Sequence, residues 1–379
     1  MFSRRQLLKG AGGLAVLGSF SSQRALAKAL ENTGLAKAFS DDFLIGAALG
    51  RSALSQQDAM VTAIAGREFN SITAENAMKW GPIHPQEDEW NWETADQFVA
   101  FGEKHQQHIQ GHCLVWHSQT PNWLFVDEQG KPVTAAVLEA RMSHHIQTLM
   151  GRYHGKINGW DVVNEAVEDA GGWRQSPWFQ IMGPQYMERA FALAHEVDPK
   201  CHLIYNDYNM HLSGKREFLL GVLQDYKKRG VPIHGVGLQG HVGLGYPDLA
   251  ELEKTIVGCA RLGLRVHITE LEVDVLPAAW KYTGADIATG FEYSDELNPY
   301  VAGLPQEVEQ QLADRYTEIF RLFLKHRDAI DRVTFWGVSD ADSWKNDFPV
   351  KGRTNYPLLF DREHQPKPAY FALKALRKA

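Results

Sequence analysis

The sequence predicts an α/β fold, a single (β/α)8 barrel (TIM barrel). Three observations carry this reading: eight short β-rich runs alternate with amphipathic helical stretches, every run from the second to the eighth ends in polar or aromatic residues, and no Ser- or Pro-rich linker interrupts the rhythm. The length of 379 residues alone leaves open one large barrel or two medium domains. The strand count favours the barrel.

The strands are expected at 43–48, 71–74, 108–115, 157–164, 202–207, 235–240, 266–269 and 333–338. Between them, helical spacing of apolar residues predicts helices at 58–68, 95–105, 134–153, 184–196, 215–229 and 306–327. Pro184 suits a first helical position, and Asp248 with Glu251 resembles a capping box. The helix it opens buries a stripe of Leu249, Leu252, Ile256, Cys259 and Ala260.

The amino terminus reads as an address. Arg4 and Arg5 form a twin-arginine pattern, an apolar run covers 10–20, and Ala25-Leu26-Ala27 offers a small-residue cleavage site. Residues 1–27 are therefore expected to be a signal peptide cut after Ala27, handled by the twin-arginine export machinery and leading to the periplasm or the exterior. The apolar run is shorter than the roughly 20 residues that span a bilayer, so no membrane anchor is expected after processing.

The formal net charge is −7, and without the basic leader the chain stands at 35 basic against 46 acidic residues, a formal −11. That excess disfavours nucleic acid as a partner. Cys113, Cys201 and Cys259 are odd in number and are expected to be structural thiols, with a Cys201–Cys259 bridge as the lesser alternative.

In such barrels chemistry gathers at the carboxyl ends of the strands. Those ends carry Glu75, Asn76, Lys79 and Trp80; His112, Trp116 and Gln119; Asn164 and Glu165; Tyr208; Gln239 and His241; Glu270 and Glu272; and Trp336 with Trp344 beyond. Exposed loops are ordinarily polar, which explains the acids and amides but not Trp80, Trp116, Trp336 and Trp344 on one rim. Carboxylates flanked by tryptophans point to a sugar cleft. Glu165 and Glu270 end the fourth and seventh strands and face each other across the mouth. One carboxyl can protonate a departing glycosidic oxygen while the other attacks, and the placement permits the separation of about 5–5.5 Å that a retaining mechanism needs.

Other chemistries find less support. His108, His112 and His117, or the pair His144-His145, could be read as metal ligands, but no HExxH spacing occurs. The glycines of 235–245 lack a phosphate-loop lysine, and no GxSxG elbow is present. No metal and no cofactor are expected.

Seven segments in register, TAENAMKW, GHCLVWHSQTP, WDVVNEAVED, YNDYN, GLQGHV, HITELEVDV and WGVSDADSW, resemble glycoside hydrolase family 10, the retaining endo-β-1,4-xylanases of clan A. The resemblance runs from about Leu44 to Ala372 and makes residues 28–379 one catalytic domain, a monomer acting on xylan and xylo-oligosaccharides. It implies Glu165 as acid/base, Glu270 as nucleophile, Asn164 on the sugar 2-hydroxyl and His241 orienting Glu270, with Gln239 beside it. Glu75, Asn76 and Lys79 would grip the glycone sugar, and His112, Trp116 and Gln119 would line the reacting subsite and its neighbour. Trp336 and Trp344 would cover the glycone, and Tyr208 would stack toward the aglycone. A related glycosidase acting on β-1,4-glucan or short oligosaccharides, and a non-catalytic sugar-binding barrel, are the other readings. Two positions depart from the family pattern: Glu272 stands where Asp is usual, so that either its longer arm still reaches His241 or the relay there is rearranged, and Cys113 replaces a common Thr. Strand alternation should turn Cys113 away from the His112 side into packing.

Overall fold

The structure, a computed structural model, describes residues 34–55, 58–282 and 284–377. The leader and its cleavage site lie outside the described residues. Parallel strands β1 (Leu44–Leu49), β2 (Ser71–Ala74), β3 (His108–Val115), β4 (Gly159–Asn164), β5 (His202–Asp207), β6 (Gly235–Leu238), β7 (His241–Gly243), β8 (Arg265–Asp274) and β9 (Ile330–Phe335) make one sheet, and β6 pairs with β8 to close the ring. β7 is an offshoot that pairs with β8 near the mouth, because Gly240 takes φ +85° and breaks the sixth strand after Leu238.

The eight principal helices of the described residues alternate with the staves: α1 (Ala59–Glu68), α2 (Glu93–His105), α3 (Ala135–Arg152), α4 (Gln185–Val197), α5 (Ser213–Arg229), α6 (Leu249–Arg261), α7 (Gln306–Lys325) and α8 (Pro368–Ala375). Their inner faces are those the periodicity picks out: in α4, Tyr186, Met187, Ala190, Phe191, Leu193 and Ala194 are buried. Asp58 caps α1 by accepting from Met60 N and Val61 N, both at 3.0 Å. Asp248 caps α6 through Ala250 N, but Glu251 pairs with Lys254 and Arg216 instead of completing a box. In that helix Leu252, Thr255, Ile256 and Cys259 are buried, whereas Ala260 is exposed. Pro184 caps α4 from the position before its first residue.

Element ends differ from expectation where polar residues lie inside the barrel. The last strand begins at Ile330, three residues before the expected start, because Arg332 is a buried interior residue. Its guanidinium donates to Gln110 Oε1 (2.8 Å), Gln110 donates to Asp161 Oδ1 (2.7 Å), and Asp161 Oδ2 meets His112 Nδ1 (2.7 Å). This chain of polar contacts pairs groups whose burial alone would be costly, although Arg332 Nε and Nη2 find no partner among the described residues. All three cysteines are buried and free, so the Cys201–Cys259 bridge is not formed. Cys113 is buried, and burial pushes the pKa of its thiol well up.

Candidate active site

The mouth gathers Lys79, His112, Trp116, Asn164, Glu165, Gln239, His241, Glu270, Trp336 and Trp344 around one cavity. Of the expected rim, Trp80 is the exception. It is 1% exposed, its Nε1 donates to Leu114 O, and its ring stacks on His145 at 3.5 Å, so it belongs to the packing beneath the mouth. A Trp beside a strand end can face either way, and here a buried backbone acceptor claims its N–H.

Glu165 follows β4 in a left-handed conformation, φ +57°, uncommon for a residue with a side chain. Two contacts hold it there: Glu165 N donates to Asn206 O (2.9 Å), and Arg174 Nε donates to Glu165 O (2.9 Å). Its carboxyl receives Trp116 Nε1 on Oε2 (2.7 Å), with Gln239 Nε2 (2.9 Å) and Asn164 Nδ2 (3.1 Å) on Oε1. Burial pushes its pKa up to about 7; the negative Asp207 adds to this, Glu270 adds less, and the bonds from Gln239 and Trp116 oppose it. The expected rise is present, with burial leading and Asp207 ahead of Glu270.

Glu270 carries the opposite displacement. Burial would raise its pKa, but the bond to His241 and the charges of His112, His241 and Lys79 outweigh it and hold the carboxyl below its ordinary value. Asn206 Nδ2 donates to Oε1 (2.8 Å), and His241 Nε2 meets Oε2 (3.2 Å). Asn206 also donates to Asn164 Oδ1 (2.9 Å) and accepts from Thr269 Oγ1 (2.6 Å), so one amide ties the surroundings of both carboxyls together. Gly237 makes this possible: a Cβ there would lie 2.3 Å from Asn206 Oδ1.

Glu272 does reach His241. Its Oε1 lies 2.8 Å from His241 Nδ1 and accepts Trp344 Nε1 at 2.7 Å. Burial opposes a charge on His241, yet the bonds to Glu270 and Glu272 outweigh it and raise its pKa, so the ring links the two carboxyls.

Lys79 Nζ donates to Asn76 Oδ1 (3.0 Å) and stands 4.9 Å from the Trp116 ring and 6.0 Å from that of Trp336. Gln119 Nε2 reaches the same Asn76 oxygen at 3.4 Å. Glu75 has its pKa raised by burial, against the pull of Lys79 and with the repulsion of Asp342 and Glu272. Tyr208 is buried rather than open: Arg174 Nη2 donates to its hydroxyl (2.7 Å) and Lys215 Nζ covers its ring at 4.0 Å. Asn206, Asp207, Asp161 and Arg174 were not singled out from the sequence. Asn206 and Asp207 lie inside the YNDYN segment, and their place at a strand end was the available signal.

Among the described residues one trio, His202, His267 and Asp331, brings possible metal ligands within 4.8 Å of one another. It lies at the opposite, amino-terminal end of the strands, where Arg265 already pairs with Asp331.

Two buried carboxyls with opposed pKa displacements can act as acid and nucleophile in one cycle. Comparison with known proteins agrees in kind. The profile of Glycosyl hydrolase family 10 matches residues 34–376. Endo-1,4-beta-xylanase A of Xylanibacter ruminicola is 45% identical over 86% of this chain and 88% of that protein. Endo-1,4-beta-xylanase of Geobacillus stearothermophilus is 42% identical over 89% and 96%. The solved structure of an endoxylanase of the same family retrieved from sugarcane soil metagenome is similar with a TM-score of 0.89 and 54% identity, covering 90% of this chain and all of that one.

Proposed function

The chain belongs to glycosyl hydrolase family 10 and is an endo-acting β-1,4-xylanase that retains anomeric configuration, and from that premise we propose how its residues share the work. The observation that carries the assignment is the split between the two carboxyls: Glu165 at about 7 and Glu270 below its ordinary value. Glu165 holds a proton at neutral pH and gives it to the departing glycosidic oxygen as a Glu270 oxygen attacks the anomeric carbon. The glycosyl ester that forms removes the negative charge of Glu270. Glu165, now ionised, takes a proton from water, the water attacks the anomeric carbon, and Glu270 leaves as carboxylate.

His241 and Asn206 stabilise the Glu270 carboxylate before attack and after release. Asn164, next to both carboxyls through Glu165 and Asn206, holds the sugar 2-hydroxyl. Glu75, Asn76, Lys79, His112, Trp336 and Trp344 bind the glycone, with Trp116 and Gln119 alongside. Tyr208 acts from the aglycone side by shaping the floor around Arg174, in keeping with its burial. Reducing ends released from xylan, carboxymethylcellulose and xylo-oligosaccharides test the substrate: release from xylan and the oligosaccharides is expected, and release from carboxymethylcellulose alone would refute it.

We also propose that the protein is exported through the twin-arginine route and acts as a monomer in the periplasm or outside the cell. The support for export is the Arg4-Arg5 pattern with its apolar run. Replacing Arg4 and Arg5 by lysine should leave activity in the cytoplasm; unchanged export would refute the route.

A further inference from the structure

The segment after β8 does not run straight to α7. Residues 275–282 and 284–303 first lean on the wall that follows β9. Phe291 N donates to Pro349 O (2.9 Å), and Tyr282 packs against Phe291 and against Phe348, whose ring stacks on Trp344 at 4.4 Å. From this footing residues 285–287 reach over the mouth. Ala285 and Ile287 line the cavity shared by Glu165, Glu270, Trp336 and Trp344. Asp286 Oδ2 lies 3.6 Å from Arg174 Nη1, on the loop after β4. One ionic contact thus joins opposite walls of the mouth beside the catalytic carboxyls.

The side on which this contact lies follows from the chemistry. Glu165 protonates the departing oxygen, so the aglycone leaves past Glu165 and past the group that holds its backbone, Arg174. Arg174 is also the cation of that wall. Two of its nitrogens are engaged by Glu165 O and Tyr208, and its third faces Asp286.

Building on the xylanase reading above, we propose that residues 285–287, latched through Asp286 to Arg174, set the specificity of the aglycone side, favouring linear neutral xylan over xylan with uronate branches. Ile287 (39% exposed) presents apolar surface to a sugar ring, over the buried Ala285, and offers no donor to a branch carboxylate. Asp286 repels that carboxylate and occupies the guanidinium nitrogen that would otherwise pair with it. Because Asp286 is partly exposed, the latch is an ion pair of modest strength that an entering chain can open.

The test is the ratio of kcat/KM on glucuronoxylan to kcat/KM on xylohexaose, measured for the wild type, Asp286→Ala and Asp286→Glu. Removing the latch frees Arg174 for the uronate, so Asp286→Ala should raise the ratio about twofold to fivefold, the scale of one partly exposed ionic contact. Asp286→Glu should restore the wild-type ratio. An unchanged ratio in Asp286→Ala, or an equal gain on both substrates, would overturn the proposal while leaving the xylanase reading intact. A wild-type enzyme inactive on both would overturn that reading itself.

Discussion

Glu165→Gln converts the pKa argument into a stability measurement. Burial moves Glu165 from 4.5 to about 7, a displacement worth about 3 kcal/mol at 1.36 kcal/mol per pH unit. In that window the native state keeps a proton that the unfolded chain has lost. Stability must therefore fall as pH rises from 4.5 to about 7, where the folded group finally ionises. Glutamine does not titrate, so the variant lacks this loss. A fixed cost is expected at every pH, because the Gln amide replaces the oxygen that accepts Trp116 Nε1 (2.7 Å). Taking the difference between two pH values removes it. Urea unfolding at pH 5 and pH 8 should show wild type losing about 2–3 kcal/mol more than Glu165→Gln across the interval, since part of the displacement already lies below pH 5. Parallel losses would mean that Glu165 titrates normally and is no acid at neutral pH.

Three further outcomes follow from the same geometry. Glu272→Gln removes the anion behind His241, lowers the proton affinity of that ring and so lifts Glu270 toward its ordinary pKa; the acid limb of the kcat/KM profile should move to higher pH, and an unmoved limb would refute the coupling. Gly237→Ala places a Cβ 2.3 Å from Asn206 Oδ1 and should lower kcat about tenfold to a hundredfold, the loss of one hydrogen bond to a charged group, while KM changes less. Trp80→Phe strands the Leu114 carbonyl and empties part of a buried site, so thermal unfolding should show a cost of about 2–4 kcal/mol, with kcat of the folded enzyme little changed.

Much of this architecture was legible because barrel strands bury both faces and advertise themselves as apolar runs, with Glu165 and Glu270 placed at their ends. What escaped was interior polarity. Arg332 reads as a loop residue until its bond to Gln110 across the barrel, with Asp161 beyond, is seen. Strand β8 runs on to Asp274, past the expected end at 269, where Glu272 is buried between His241 and Lys345. Helix Pro368–Ala375 was missed because a run of eight residues carries too few turns for its periodicity to stand out. Within the site, Asn206 and Asp207 act on their neighbours' protons rather than on substrate, and only distances reveal that. The reach of residues 285–287 across the mouth depends on anchors at Pro349 and Arg174, far away in sequence.

The central claim is that Glu270 attacks and Glu165 serves it, and Glu270→Ala assayed with azide tests that most directly. With the nucleophile gone, hydrolysis of an activated β-xylobioside should be abolished, and azide, occupying the vacated position, should restore turnover and yield the α-glycosyl azide, identified by NMR. A β-glycosyl azide, or a variant that retains hydrolysis without azide, would contradict the assignment.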